Sequence, residues 1–169
     1  MKEKANKSKG GKKSSRNRNI DKVRQLLDDG ADIEKRNHMG QTLLMLTAMK
    51  KGHSTCVKML LDRGADMHAV DNYESSSIAY ACMYRRVENL RVMLDRGGDV
   101  NIRGAYGMTP LMQAAVNGAG DCVALLLERG ADPTSTCNNG RTAFSYCAKT
   151  SKIKKTLADA PKPADYVLK

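Results

Sequence analysis

The chain has 169 residues and a formal net charge of +11, with no Trp and only one Phe. A globular core would lack large aromatic anchors, whereas a repeat array needs only Leu, Met, Val and Ala buried between neighbouring repeats. No apolar run approaches the ~18 residues of a membrane-spanning helix, and the N-terminus lacks the apolar stretch of a secretory signal. We therefore expect a soluble, non-secreted protein with one elongated domain.

The first 18 residues form a basic segment with eight Lys or Arg, one Glu and almost no apolar side chains. Such a composition buries too little apolar surface to fold by itself, so residues 1–18 are predicted to be a disordered tail. A mitochondrial transit peptide is a weaker interpretation, because those peptides form amphipathic helices with an apolar face. Residues 19–148 carry fifteen charges of each sign, so the net charge lies in the two ends of the chain.

The helical pattern begins directly after this tail. Ile20, Val23, Leu26 and Leu27 recur at the spacing that places them on one face of a helix. Gly30 follows at the position where a helix commonly ends. The sequence therefore predicts one amphipathic helix before the first complete repeat.

Residues 107–133 contain a complete helix-turn-helix unit. Thr109 can cap the first helix through its hydroxyl, and Pro110 suits the first helical position because no hydrogen bond is lost there. Gly118 is predicted to stop this helix. A second, more apolar helix is predicted to follow and to end at Gly130.

The turn that closes this unit recurs along the chain. The sequence Gly-x-Asp begins at Gly30, Gly64, Gly97 and Gly130, at intervals of 34, 33 and 33 residues. The matching helix openings read GQTLLMLTA, ESSSIAYAC, GMTPLMQAA and GRTAFSYCA. Self-similarity at a fixed period is the signature of a repeat architecture.

Together these turns and openings resemble the ankyrin repeat, whose period is about 33 residues and whose motif is TPLHxAA. The resemblance covers residues 19–160. It implies an all-α fold, a helix-turn-helix solenoid with β-hairpin-like loops and flexible basic termini. The predicted organisation is a disordered tail at 1–18, a half repeat at 19–36, repeats at 37–70, 71–103 and 104–136, a truncated capping repeat at 137–160 and a C-terminal tail at 161–169.

The chain departs from the ankyrin motif in two ways. The motif His is absent from every repeat, and with it the hydrogen bond that this His usually gives to the neighbouring turn; the replacements are Met45, Ala79, Met112 and Ser145. The second repeat also has Glu74 where a turn Gly is usual. This repeat is therefore predicted to be the most strained or mobile.

The resemblance also implies where a partner binds. In ankyrin repeats the hairpin tip and the two residues after the alanine pair face a concave groove, and Tyr, Met and Arg are enriched at interface centres. We define the candidate groove as the residues Met39, Met49, Lys50, Tyr73, Met83, Tyr84, Arg103, Tyr106, Val116 and Asn117. The three tyrosines of this set are predicted to be exposed, whereas Tyr80 is predicted to fill the core.

The sequence contains no Gly-rich phosphate loop before a helix and no Gly-x-Ser-x-Gly motif. Cys56, Cys82, Cys122 and Cys147 fall at apolar or small-residue positions of the repeat and are predicted to be core residues. Five cysteines, an odd number without Cys-x-x-Cys, argue against a disulfide framework or a zinc site. We expect no enzyme activity, no catalytic residues, no cofactor and no metal.

The cysteine usage also bears on localisation. Free thiols persist in a reducing environment, so an intracellular compartment is expected. The cytoplasm is the first choice, with the nucleus and the mitochondrion as alternatives.

Two functions from different classes remain. The first, which we favour, is a protein-binding module or scaffold subunit whose rigid groove captures a protein partner. The second is a structural subunit of a ribonucleoprotein such as a ribosome, with the basic tail along RNA phosphates. The RNA-contacting residues would then be Lys2, Lys4, Lys7, Lys9, Lys12, Lys13, Arg16 and Arg18. Neither a membrane nor a small-molecule substrate is expected as a partner.

Overall fold

The computed structural model describes residues 15–147 and 152–160. These residues form nine α-helices and one 3₁₀ turn at Ala105–Gly107, and no β-strand occurs among them. An isolated antiparallel bridge joins Val70 and Ser76. The all-α prediction is confirmed. The flexible tails were predicted at 1–18 and 161–169, and of these only residues 15–18 lie within the described residues.

The chain divides into two compact units, Met1–Asp32 and Ile33–Lys169. The first unit contains helix α1, Ser15–Asp28, which begins four residues before the predicted boundary between tail and repeats. This corrects the prediction that residues 15–18 are disordered. Arg is a good helix former, and extending a helix costs much less than starting one, so polar residues upstream of Ile20 can continue it. The half repeat predicted over 19–36 is divided between the two units.

The second unit is built from four helix pairs in two layers. The inner helices are α2 (Leu43–Ala48), α4 (Ser77–Met83), α6 (Pro110–Val116) and α8 (Ala143–Tyr146). The outer helices are α3 (Ser54–Asp62), α5 (Val87–Leu94), α7 (Gly120–Glu128) and α9 (Lys152–Ala158). Each inner helix packs on the next inner helix, each outer helix packs on the next outer helix, and the two members of a pair pack on each other. The core therefore runs between the layers from repeat to repeat.

Three of the inner helices begin with the same capping interaction. Thr42, Ser76 and Thr109 are the N-caps of α2, α4 and α6, and the hydroxyl of each accepts a hydrogen bond from the backbone N–H three residues later. Pro110 occupies the first turn of α6, and Gly118 follows that helix with a φ of 65°. The predicted start and stop of this helix are confirmed.

The positions of the missing motif His are filled in two repeats by fully buried methionines. Met45 and Met112 are each 1% exposed and pack between the inner and outer layers. Met45 Sδ accepts a hydrogen bond of 3.5 Å from the backbone N–H of Thr42, and the flexible thioether of a methionine can fill an irregular space. Buried thioethers thus occupy the position of the motif His at these two sites.

Charged side chains connect the C-terminal ends of successive outer helices. Arg96 donates to a carboxylate oxygen of Asp62 through Nε at 3.2 Å and Nη2 at 2.9 Å, and Arg129 donates to Asp95 at 2.7 Å. The hydrogen bonds from Lys58 and Arg96 lower the pKa of Asp62. These pairs lie at the surface, where an ion pair contributes little to stability, so they orient neighbouring repeats more than they stabilise them.

Backbone strain is concentrated in the second repeat. The turn residues Gly40 and Gly107 have φ values of 76° and 67°, and Glu74 occupies the equivalent position with a φ of 57°. A left-handed backbone conformation places the Cβ of an L-residue close to the following carbonyl oxygen, which costs about 1–2 kcal/mol. The predicted strain at Glu74 is confirmed.

We expect Glu74→Gly to stabilise the protein. The substitution removes the left-handed penalty of about 1–2 kcal/mol, and the greater freedom of Gly in the unfolded chain offsets roughly 0.5–1 kcal/mol of that gain. The unfolding free energy in urea should therefore rise by about 0.5–1 kcal/mol.

The matched control is Gly40→Ala at the same repeat position. A Cβ there would lie 2.9 Å from the backbone N of Asn72, so this variant should lose about 1–3 kcal/mol. If the unfolding free energy of Glu74→Gly is lower than that of the wild type, the Glu74 carboxylate stabilises the folded protein by more than the strained backbone destabilises it.

Candidate functional site

The ten residues of the candidate groove all reach the surface to some extent. Tyr73, Tyr84 and Tyr106 are 60%, 46% and 76% exposed, whereas Tyr80 is 7% exposed. The predicted exposure of the first three rings and burial of the fourth are confirmed. Binding of a partner by these residues stays a prediction.

Tyr73 and Tyr106 line one shallow depression at the hairpin tips. Its volume is about 460 Å³, and the remaining lining residues are Asn72, Glu74, Ala105 and Asn138. The tips are joined by backbone hydrogen bonds, since Asn72 N donates to Met39 O at 3.1 Å and Asn138 N donates to Tyr106 O at 2.9 Å. The two exposed rings are therefore carried on tips that adjacent repeats hold in register.

Each tip has a local device that fixes it. Asp71 Oδ1 accepts hydrogen bonds of 2.9 Å from the backbone N–H groups of Tyr73 and Ser75, which closes the tip below the Tyr73 ring. The third repeat has Gly104 at the position of Asp71, where a Cβ would lie 2.8 Å from Glu74 O. Close approach of the neighbouring hairpin therefore requires Gly there, and Tyr106 is held instead in the 3₁₀ turn with a φ of 57°.

Tyr84 lies on a different depression, at the turn between α4 and α5. The volume of this depression is about 510 Å³, and its lining comprises Lys51, Gly52 and residues 84–89. The Tyr84 ring lies next to the Tyr80 ring in a tilted arrangement, with ring centroids 6.3 Å apart and planes inclined by 45°. The structure therefore brings Tyr73 and Tyr106 together but places Tyr84 at the opposite end of its helix.

A buried polar chain at the first repeat junction positions these elements, and the sequence analysis missed it. The Tyr80 hydroxyl donates to Asp71 Oδ2 at 2.5 Å and accepts from Gln41 Nε2 at 2.7 Å. Gln41 Oε1 in turn accepts from Asn37 Nδ2 at 3.0 Å. Burial, the first cause, and the hydrogen bond to Asp71 raise the pKa of Tyr80 to about 12. The chain links the hairpins of two repeats through helix α4.

A second link positions the groove residues at the end of α2. Asn89 is 1% exposed, and its Nδ2 lies within 2.9–3.3 Å of the carbonyl oxygens of Thr47, Ala48 and Lys50. Arg86 Nε donates to Met49 O at 2.8 Å. Carbonyls at a helix end have no partner within their own helix, and here the next repeat supplies the donors. Asn89 occupies the repeat position at which the neighbouring repeats have Cys56 and Cys122. A single polar residue at this otherwise apolar repeat position was the sequence signal from which the link could have been predicted.

Arg103, one of the predicted groove residues, makes a structural contact. Its Nη2 donates to Thr136 O at 2.5 Å, as Arg36 Nη1 donates to Val70 O at 2.6 Å one repeat pair earlier. Arg103 therefore bridges two repeats, although its side chain remains exposed. At the other edge Val116 and Asn117 lie in the open, and Asn117 Nδ2 donates to Gln113 O at 2.8 Å.

The cysteines behave as core residues. Cys56, Cys82 and Cys122 are buried, and loss of hydration raises the pKa of each thiol, to about 11 for Cys122. Cys147 is half-buried and donates to Ala143 O, so it is less enclosed than predicted. The Cys137 thiol differs, because its contact with the Tyr146 hydroxyl lowers its pKa. Among the described residues no three His, Cys, Asp or Glu side chains are grouped so as to hold a metal ion.

Comparison with known proteins identifies the repeats. A family model described as ankyrin repeats (3 copies) matches residues 13–104, and a second, ankyrin repeats (many copies), matches residues 93–147. A mitochondrial disaggregase of Bos taurus is 37% identical over 62 residues, and one of Homo sapiens is 36% identical over 62 residues. Each match covers 37% of this chain and 9% of the relative, so the chain spans a small part of the curated relatives it matches. No helix in the described ranges has the length and apolar character of a membrane span.

The buried Tyr80 hydroxyl predicts a specific pH dependence. Because its pKa is about 12 in the folded protein and 10.0 in the unfolded chain, the folded state keeps a proton that the unfolded state has released between these values. The stabilising effect of the hydroxyl is therefore fully present below pH 10.0 and is lost as the pH rises toward about 12.

Tyr80→Phe tests this dependence. At neutral pH the variant should lose about 1–3 kcal/mol, because Asp71 and Gln41 lose a buried partner. Above pH 10.0 the wild type should lose stability faster, so the difference between the two proteins should shrink. Urea unfolding across this range measures both effects, with Tyr106→Phe, on an exposed ring, as the control. Parallel stability curves for wild type and Tyr80→Phe would contradict the assignment.

Proposed function

Because the chain belongs to the ankyrin repeat family, we propose that its second unit is a non-catalytic module that captures a protein partner on the candidate groove. Ankyrin repeats indicate a protein–protein interaction module. The observation that carries the proposal is the contrast among the tyrosines: Tyr80 is buried, whereas the rings at the outward repeat positions are exposed. Exposed rings at regular repeat positions supply large contact area with a polar handle, which is typical of interface centres.

The second support is the way in which the groove residues are held. Met49 and Lys50 follow a helix whose terminal carbonyls are fixed by Asn89 and Arg86, and the Tyr73 tip is closed by Asp71. A surface that is already ordered loses little conformational entropy on binding. The rigidity of the module therefore favours capture of a partner by shape rather than by mutual folding.

The proposed setting is a reducing intracellular compartment, the cytoplasm first. The five cysteines are free thiols, and four of them are buried. The nucleus and the mitochondrion stay as alternatives. The matched relatives are mitochondrial by name, but the match covers only 9% of their length, so it gives the mitochondrion little support.

We expect Tyr84→Ala to weaken binding of the protein partner by about 2 kcal/mol, or roughly 30-fold, as truncation at an interface centre does. A photo-crosslinking amino acid at position 73, 84 or 106 would first identify the partner and its contact with the groove. The purified partner would then be titrated against each variant. Thr55→Ala, at an exposed position of the outer helix α3, is the control and should bind as the wild type does. Unchanged affinity of a folded Tyr84→Ala protein would remove the groove from the proposal.

A second candidate function is an RNA-contacting subunit of a ribonucleoprotein, supported by the eight Lys and Arg in residues 1–18. Each phosphate that a basic side chain neutralises releases counterions, so such binding weakens steeply as salt is added and shows little sequence preference. Of the eight predicted residues, Arg16 and Arg18 fall within helix α1, and the other six lie outside the described residues.

Deletion of Lys2–Ser14 separates the two functions while leaving helix α1 complete. If the tail binds RNA, the shortened protein should lose nuclease-sensitive association and the salt dependence of RNA binding. If the module binds only protein, the shortened protein should keep its partner after nuclease treatment. Equal, salt-insensitive RNA association of both proteins would exclude a role for the tail.

A further inference from the structure

The second unit has an unusual charge distribution at the turns between inner and outer helices. Lys50 and Lys51 lie in the turn after α2, and Arg85 and Arg86 lie in the corresponding turn after α4. With the exposed ring between these pairs they form what we call the basic turn patch, residues Lys50, Lys51, Tyr84, Arg85 and Arg86. All of these except Lys50 line one depression, and Glu88 is the one acidic residue in its lining.

The cations of this patch are not neutralised by the repeats themselves. The ion pairs between described residues of the second unit join Lys58 and Arg96 to Asp62, and Arg129 to Asp95, all at the outer helices. None of these pairs involves Lys50, Lys51 or Arg85, and all three side chains are exposed. Arg96 and Arg129 are paired with acids, whereas the four positive charges at these two adjacent turns form a local excess.

Arg85 lies at the centre of this excess. It lines the depression beside Tyr84 and also a second one, of about 530 Å³, formed with Gly118–Cys122 of the third repeat and with Lys152 and Ile153. The second depression adds a further cation from Lys152 and one acid from Asp121. The guanidinium therefore stands between two neighbouring hollows and is accessible from both.

The backbone at Arg85 is strained. The residues at the same turn in the first and third repeats are Gly52 and Gly118, with φ values of 73° and 65°, and Arg85 has a φ of 60°. An arginine here costs stability that a glycine would not, and residues kept in a strained conformation concentrate at functional sites. The strain points to a role for the Arg85 side chain outside the fold.

We propose that the basic turn patch binds an acidic peptide segment of a protein partner, with carboxylates on Lys51 and Arg85 and an apolar side chain against Tyr84. This inference rests on the proposed function and specifies the partner's chemistry. Charge complementarity selects an anionic occupant. Aromatic content favours a peptide over single-stranded RNA, because RNA binding commonly uses several aromatic stacking surfaces, whereas this patch has the single exposed ring of Tyr84.

Arg85→Gly is the decisive variant, because the fold and the binding respond in opposite directions. Loss of the strain should raise Tm by about 2–4 °C in a chain of this size. Loss of the guanidinium should weaken binding of a labelled peptide of Glu, Asp and Leu about fivefold. A purely structural residue would not lower affinity while raising Tm.

Glu74→Gly is the matched control. It removes the same type of strain in the same repeat but takes away a negative charge at the hairpin tip. Its Tm should rise in the same way while its affinity for the acidic peptide stays at the wild-type value. The full chain is used for all variants, and a peptide of Gln, Asn and Leu shows whether charge drives the binding. This neutral peptide should bind weakly to every variant.

Three results would overturn the inference. The first is an unchanged affinity of Arg85→Gly for the acidic peptide, and the second is an equal loss of that affinity in Glu74→Gly. The third is binding of a labelled single-stranded RNA that depends on Arg85 while binding of the acidic peptide does not. The crosslinked partner separates this inference from the proposed function. If Tyr84→Ala weakens that partner and Arg85→Gly does not, the acidic peptide is wrong and the groove stands. If neither variant weakens binding of the crosslinked partner, both the acidic-peptide inference and the proposed groove fail.

Discussion

The structure depends on burial between neighbouring repeats. The inner helices α2, α4 and α6 have only six or seven residues, and an isolated helix of that length is unstable in water because nucleation is costly. Each becomes stable because neighbouring helices of the second unit cover its apolar side, and Leu44, Ile78 and Leu111 are fully buried. A residue's importance therefore follows from how it joins one repeat to the next. Surface positions that make no such contact are available for binding.

The second repeat is where this requirement and the surface chemistry meet. Its hairpin and its helix turn both carry charged residues, Glu74 and Arg85, in a conformation for which other repeats use glycine. Its interior compensates with polar links to the first repeat, through Tyr80 on one side and Asn89 on the other. Fully satisfied buried hydrogen bonds fix a single arrangement of the partners they join. The repeat with the most strain at its surface thus has the most directional contacts in its core.

The features that the sequence predicted are those written into single repeats. Helix starts follow from Thr42, Ser76 and Thr109, because a capping hydroxyl acts on a backbone N–H three residues away. The tyrosine exposures follow from repeat position, since every repeat turns the same side outward. Such local and periodic signals can be recognised in the sequence without knowing which residues of adjacent repeats contact each other.

The features that escaped prediction depend on which residues meet across a repeat junction. Tyr80 was correctly predicted to lie in the core, but the hydrogen-bond partners of its hydroxyl are 9 and 39 residues away in the sequence. Asn89 reaches carbonyls 39 to 42 residues earlier, and only the three-dimensional stack brings them within reach. The early start of α1 was missed for a different reason, because residues 15–19 read SRNRN and carry no apolar periodicity to mark a helix.

Placement of the polar links explains why the basic turn patch can be both charged and ordered. Four cations at two adjacent turns repel one another, and an unsupported loop would relax by moving them apart. Arg86 and Asn89 prevent this by tying the end of α2 to the start of α5 through the carbonyls of Met49 and Lys50. Those hydrogen bonds hold the backbone of the two turns together before any partner arrives. An anionic segment that neutralises the cations then gains the relief of this repulsion as well as its own contacts, which makes the junction of the first two repeats the part of the surface most sensitive to charge.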